Sequence, residues 1–152
     1  MTYLWGAFVF ILGTIIGSFL NVVILRYNTG RSAIKGESQC FTCGKKLKWP
    51  DLFPILSFLA FKGRCRHCKC KISWQYPLVE LVTGLVFISI FAAKFSVLNP
   101  FSSLLTVVFA WVIFCLLIII SVYDLKHQII PNGCAYALAV LAVIPALYKN
   151  LS

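Results

Sequence analysis

Phe95–Tyr123 reads FSVLNPFSSLLTVVFAWVIFCLLIIISVY, 29 consecutive residues without a formal charge, closed by Asp124. A hydrocarbon core about 30 Å thick is crossed by roughly 20 helical residues, so this stretch is long enough to span a bilayer. Working outward, the same signature recurs. Met1–Leu25 carries no charge, Ile72–Ala93 carries only Glu80, and Gln128–Tyr148 carries none. The pattern predicts an all-α polytopic membrane protein with about four transmembrane helices, near 4–25, 76–93, 101–123 and 129–148.

The composition agrees. Of the 152 residues 61% are hydrophobic and 12% charged, and the mean hydropathy is +0.91. A soluble domain of this size could not cover so much apolar surface with so few charges. A disordered chain and a secreted disulfide scaffold are excluded on the same grounds. The first stretch lacks a basic n-region, is too long for a signal h-region and runs directly into Arg26, so it is expected to be retained as a helix. Its Gly13-x-x-x-Gly17 spacing predicts a face pressed against another helix.

Charge sets the expected orientation. Eleven of the fourteen basic residues lie between Arg26 and Lys71, and Lys126 falls on the same side, against Lys94 and Lys149 on the other. By the positive-inside bias the long loop and the Asp124 turn face the cytoplasm, with both termini outside. Topology and anionic lipid headgroups account for the net charge of +10 without a nucleic acid, so membrane lipids rather than nucleic acid are the expected partner of the basic loop. The expected organisation is a first helix over 1–25, a cytoplasmic loop over 26–75, and the remaining helices over 76–152. No internal repeat is evident.

Within the loop, Cys40-Phe-Thr-Cys43 and Cys65-Arg-His-Cys68 are two C-x-x-C pairs separated by 21 residues. Two such thiolate hooks make the tetrahedral sulfur site that zinc favours, and Lys45, Lys46, Arg64, Arg66 and Lys69 around them offset its negative charge. The alternative is four free or redox-active thiols. Cys70 adjoins the second hook and competes with Cys68 as the fourth ligand; His67 reads as a bystander. A zinc site in so small a loop is structural, since binding the metal folds the segment. Cys115 and Cys134 fall within spans and read as small apolar residues.

Two further polar positions lie in the spans. Glu80, one turn into the second span, and Asn21, near the end of the first, are candidates for lining one cavity; an interfacial carboxylate and an interhelical amide are the plainer readings. Asp124 opens the turn Asp124-Leu-Lys-His-Gln-Ile-Ile-Pro-Asn132 at the membrane boundary, with Lys126 as a possible ion-pair partner and Pro131 suited to the first turn of the next helix.

Gly17-Ser-Phe-Leu-Asn-Val-Val-Ile-Leu-Arg26, the two C-x-x-C pairs, Pro54-Ile-Leu-Ser57, Ser73-Trp-Gln-Tyr-Pro-Leu-Val-Glu-Leu81 and Tyr123–Asn132 occur in an order that resembles the bacterial type IV prepilin leader peptidases. The resemblance implies a multi-pass aspartic peptidase of the bacterial cytoplasmic membrane, active at its cytoplasmic face. Such enzymes remove the leader from type IV prepilins and pilin-like proteins. Many also methylate the new amino terminus with S-adenosylmethionine. It implies that Asp124, seven residues before Pro131, is the first of two catalytic aspartates, and that Cys40, Cys43, Cys65 and Cys68 are the zinc hooks. It further links the loop and the Glu80 region to methylation.

The family's second aspartate comes from a G-x-G-D motif that this sequence lacks, and no acidic residue follows Asp124. The expectation is therefore the first part of a longer enzyme or a truncated product; a homodimer supplying Asp124 twice has nothing in the sequence to support it. A non-catalytic zinc-bearing scaffold of a pilus, secretion or competence machine and a methyltransferase-only fragment are the rival readings.

Overall fold

A computed structural model describes residues 2–30, 32, 39, 40, 42–47 and 49–151. Glu37, one of the four acids, lies outside the described residues. The elements are α1 (Thr2–Arg26), a 3-10 turn (Trp49–Leu52), α2 (Leu56–Ala60), α3 (Gln75–Lys94), α4 (Pro100–His127) and α5 (Asn132–Leu151). No strand occurs among the described residues beyond two isolated bridges, Gln39 with Lys46 and Arg64 with Lys71. Leu4–Arg26, Gln75–Lys94 and Pro100–His127 are long and apolar enough to cross a bilayer, while α5 carries a shorter apolar run, Asn132–Val143. This is the helical membrane architecture expected from the charge-free runs.

The chain divides into two compact units, Met1–Ser89 and Ile90–Ser152. In the first, α1 and α3 run antiparallel in very close contact. A Cβ added at Gly13 would lie 2.8 Å from the Gly84 Cα, and one at Gly17 would lie 2.8 Å from the Glu80 Cα. Gly84 is equally tight, against Thr14 and Phe10. The expected Gly-x-x-x-Gly face thus exists, and α3 is its partner. In lipid no hydrophobic drive separates inside from outside, so association rests on close backbone approach and satisfied polar groups.

The burial pattern follows from that rule. Val9, Thr14, Leu20, Asn21 and Ile24 of α1 and Val79, Glu80, Thr83 and Phe87 of α3 are buried. Phe8, Ile11, Ile15 and Phe19 on α1 and Leu78, Leu81, Val82 and Leu85 on α3 face outward. Glycine and polar groups make the closest approach, Leu20, Ile24 and Phe87 fill the space beside them, and large apolar side chains also cover the outer faces, which a soluble helix pair would make polar. The inner hydroxyls are satisfied along their own helices: Thr14 Oγ1 donates to Ile11 O at 2.8 Å and Thr83 Oγ1 to Val79 O at 2.7 Å.

Between these helices the loop builds a small core of its own. Phe58, on α2, packs on Trp74 with ring centroids 4.9 Å apart. Gly63, at φ +65°, lets the chain turn directly under the Phe58 ring, which a Cβ would meet at 2.9 Å.

In the second unit α4 and α5 pack against each other. Pro100 opens α4, where its missing N–H costs little. The helix does not stop at Asp124, as the sequence suggested. It continues through His127 and ends where Gln128 turns left-handed, φ +53°, donating its N–H to Asp124 O at 2.7 Å. A charge at a water interface does not end a helix, because its backbone bonds are made regardless of side-chain polarity. The next helix begins at Asn132, three residues later than expected. Pro131 therefore precedes α5 instead of forming its first turn, and Pro131 O accepts from Ala135 N.

The seam generates a direct test. Gly17→Ala is expected to destabilise the protein by about 1–3 kcal/mol, because its new Cβ meets backbone across the seam. Gly6→Ala, where the nearest group across the helices is the Ile88 Cδ1 at 3.4 Å, is expected to be neutral or to stabilise by up to about 1 kcal/mol. Denaturation midpoints in detergent would show the contrast; equal midpoints would contradict it.

Candidate metal centre and the carboxylates

The four cysteines of the two hooks meet. The sulfurs of Cys40, Cys43, Cys65 and Cys68 all lie within 4.8 Å of one another, with Cys40 Sγ and Cys68 Sγ 3.8 Å apart. Zinc–sulfur bonds of about 2.3 Å place tetrahedral sulfurs about 3.8 Å apart, so the donor set fits a metal ion such as zinc.

Each hook is made by the same turn. Cys40 O accepts from Gly44 N at 2.9 Å and Cys40 N donates to Lys45 O at 2.9 Å; Cys65 O accepts from Lys69 N at 3.0 Å and Cys65 N donates to Cys70 O at 2.9 Å. Gly44 and Lys69 share the left-handed backbone, φ +67° and +59°. The bridges Gln39–Lys46 and Arg64–Lys71 close both. Over their described residues the knuckles are conformational copies, a short repeat not evident in the sequence because only the two cysteines and the closing lysine (Lys46, Lys71) are shared.

The copy also bears on Cys70. Cys68 occupies the place that Cys43 holds in the first knuckle, whereas Cys70 corresponds to Lys45. Cys70 is nonetheless a fifth sulfur at the cluster, 3.2 Å from Cys68 and 3.7 Å from Cys40. His67 is exposed.

The knuckle geometry tunes the thiols before any metal arrives. The Cys43 backbone N–H points at Cys40 and, outweighing the effect of burial, lowers its thiol to about 6; the Cys68 and His67 N–H groups lower Cys65 in the same way. Cys68 receives an N–H from Cys70, but the Cys70 thiol, burial and the neighbouring sulfurs outweigh it and hold Cys68 well above the usual thiol range. Crowded thiols cannot all ionise without a cation among them.

Beside the knuckles lies a cavity of about 300 Å³ whose walls include Ser18, Cys40, Asp51, Cys65, Tyr76 and Glu80. Glu80 is only 6% exposed, and its Oε2 accepts the Ile55 N–H at 2.7 Å. Ile55 has φ +58°, a conformation strained for a β-branched residue, so the carboxylate holds a turn that is disfavoured on its own. Asn21 is not on the cavity wall. It lies in the α1–α3 seam, where Nδ2 donates to Tyr76 O at 3.1 Å and Gly17 O at 3.3 Å while Oδ1 finds no partner among the described residues. The sequence did not assign Asp51 or Tyr76 to a site. Tyr76 stands one turn before Glu80, a spacing that could have flagged it. Asp51, with its side chain 6% exposed and 3.9 Å from the exposed Arg66 guanidinium, left no sequence signal.

Asp124 belongs to the second unit. It is exposed in the last turn of α4, and Tyr123, beside it in sequence, packs on His127 with ring centroids 4.5 Å apart. Lys126, two residues on, projects from a different face of the helix, so the pairing considered from sequence is not made.

Residues 11–95 match the bacterial peptidase A24 N-terminal domain. The chain belongs to this family. Among its relatives, the prepilin leader peptidase/N-methyltransferase of Myxococcus xanthus is 43% identical over 128 residues, covering 84% of this chain and 36% of that protein. The Klebsiella pneumoniae protein of the same name is 36% identical over 137 residues, covering 86% and 57%. That of Vibrio cholerae is 34% identical over 154 residues, covering 95% and 57%. The chain spans about half the length of the curated relatives it matches. No solved structure matches it.

Metal analysis of the purified protein should find about one ion per chain, as a single tetrahedral site requires. Cys65→Ser should lose it and Cys70→Ser should keep it. Metal retained in Cys65→Ser would exclude the cluster as its site.

Proposed function

We propose that this chain is the amino-terminal part of a membrane aspartic endopeptidase that removes the leader from type IV prepilins and pilin-like proteins. The observation that carries the reading is the 43% identity to a named prepilin leader peptidase/N-methyltransferase over 84% of this chain. Residues 26–75 are the zinc-binding loop, and 76–152 contribute the first half of the peptidase region. The zinc is structural: Cys40, Cys43, Cys65 and Cys68 hold it, and it fixes the knuckles. The protein sits in the bacterial cytoplasmic membrane with the loop and Asp124 on the cytoplasmic face, as the distribution of Lys and Arg favours.

Asp124 is one of two carboxylates that the chemistry requires. An ionised carboxylate takes a proton from water as that water attacks the scissile carbonyl, and a protonated one hydrogen-bonds the carbonyl oxygen. Two close acids share one proton because like charges cannot both ionise readily. The second acid lies outside this sequence. Support for Asp124 comes from its exposure at the end of a membrane-spanning helix, where a cleavage site at the membrane surface would meet it.

A second activity, methylation of the new amino terminus, is favoured by the cavity beside the knuckles. At about 300 Å³ it is at the lower end of small-molecule sites, and its walls carry both Glu80 and Asp51, which suit a cationic sulfonium, and Arg26, Arg64, Arg66 and Lys71, which suit a carboxylate. S-adenosylmethionine, when bound, supplies the methyl group; the chain's own part is to orient it and exclude water.

In the complete enzyme Asp124→Asn is expected to lower leader cleavage by about 10²- to 10⁴-fold with membrane insertion intact. Cleavage at the parent rate would remove Asp124 from the mechanism. Supplying prepilin together with labelled S-adenosylmethionine separates the readings. Cleavage with label on the product supports both activities. Label only on pre-cut substrate marks a methyltransferase, and neither product marks a scaffold.

A further inference from the structure

The most apolar part of the loop turns its large side chains outward. In Leu52-Phe-Pro-Ile-Leu-Ser-Phe-Leu-Ala-Phe61 only Phe58 is buried, whereas Leu52, Phe53, Leu56 and Leu59 are 41%, 47%, 65% and 63% exposed. Trp74, immediately before α3, is 69% exposed. A cluster of this kind on a water-facing loop would be an unsatisfied apolar patch.

Its depth argues for a different solvent. The Ile55 amide is bonded to Glu80, and Glu80 stands against Gly17 of α1. Arg26, the first charge of α1, lies nine residues beyond Gly17, which is about 13 Å of helix axis. The Glu80 side chain leans toward the amino-terminal end of α3, and therefore toward the loop, which shortens that depth by a few ångström. Ile55 still lies below the level at which α1 meets its first charge. At the same depth Phe19 on α1 and Leu78, Leu81 and Val82 on α3 are exposed, and these are faces that a membrane-spanning pair gives to lipid. The loop patch continues them.

The charges complete the arrangement. Directly after the apolar stretch come Lys62, Arg64, Arg66, Lys69 and Lys71, all exposed. An apolar surface at acyl-chain depth, a tryptophan at the interface and a cluster of cations beyond it match the layers of an anionic leaflet.

We propose that the 52–61 segment is a re-entrant knob of the loop, immersed in the acyl region of the bilayer with α2 beside α1 and α3, while the basic second knuckle rests on anionic lipid headgroups. The metal-binding loop is thereby held in the membrane surface by its own side chains. The proposal rests on α1 and α3 spanning a bilayer and is independent of the peptidase reading.

The test places the photoreactive p-benzoylphenylalanine singly at Leu56, Leu59, Phe19 and Lys45 of the full chain in bacterial membranes. Irradiation and intact-mass measurement then follow. Phospholipid adducts are expected at Leu56 and Leu59 as at Phe19, and their loss at Lys45. Protein adducts at Leu56 and Leu59, with lipid at Phe19, would make the patch a protein-docking surface and overturn the proposal. No adduct at either would place it in water and overturn it too. Absence of lipid at Phe19 as well would remove the membrane reading and the proposal with it. A smaller change gives an independent readout: the added fluorescence of Leu56→Trp over the parent chain should be quenched by bilayers containing brominated acyl chains. An unquenched signal would again overturn the proposal.

Discussion

Glu80 is the point on which the first unit turns. It is a carboxylate buried in a helix seam against Gly17, and it is held there by the hydrogen bond from Ile55. An isolated carboxylate in such surroundings would be costly. Given a donor, it becomes the fastening between the helix pair and the loop. It holds Ile55 in a conformation that this residue would otherwise avoid, and Ile55 starts the turn into α2. Phe58 of α2 then packs on Trp74, which leads back into α3. The chain segment after Phe58 carries the second knuckle, so the position of the metal centre depends on the same bond.

The two requirements on α1 and α3 reinforce each other. Glycine at 13, 17 and 84 permits backbone contact, and the contact is what buries Asn21, Thr83 and Glu80. Asn21 contributes by donating across the seam to the Tyr76 carbonyl in the first turn of α3. Polar atoms inside the seam therefore set the register of two helices whose outer faces are mostly apolar.

Much of this was legible in the sequence. The presence of the four longer helices followed from charge-free runs, although only three have the length and apolarity of a span among the described residues and α2 had no such signal. The Gly13–Gly17 face and the four hook cysteines were legible because spacing alone carries their chemistry. The rest depended on contacts distant in sequence. Nothing near Glu80 names Ile55, 25 residues earlier, as its donor. Cys70 lay next to a hook, yet only the folded knuckles distinguish it from Cys68 by register. The end of α4 was misplaced because a charge was taken as a stop, although Asp124 and the following turn continue the helical bonds into the interface. Nothing in the sequence placed Asp51 on the cavity, since an acid in a loop ordinarily faces water.

The most direct test of this account is amide exchange at Ile55 in the intact protein, followed by nuclear magnetic resonance in detergent or lipid discs. The account predicts protection comparable to that of the first turns of α3, lost when Glu80 is replaced by Ala. Exchange at Ile55 as fast as in the exposed Asn28–Gly30 turn, or protection unchanged by Glu80→Ala, would mean that the loop is not fastened to the helix pair in this way.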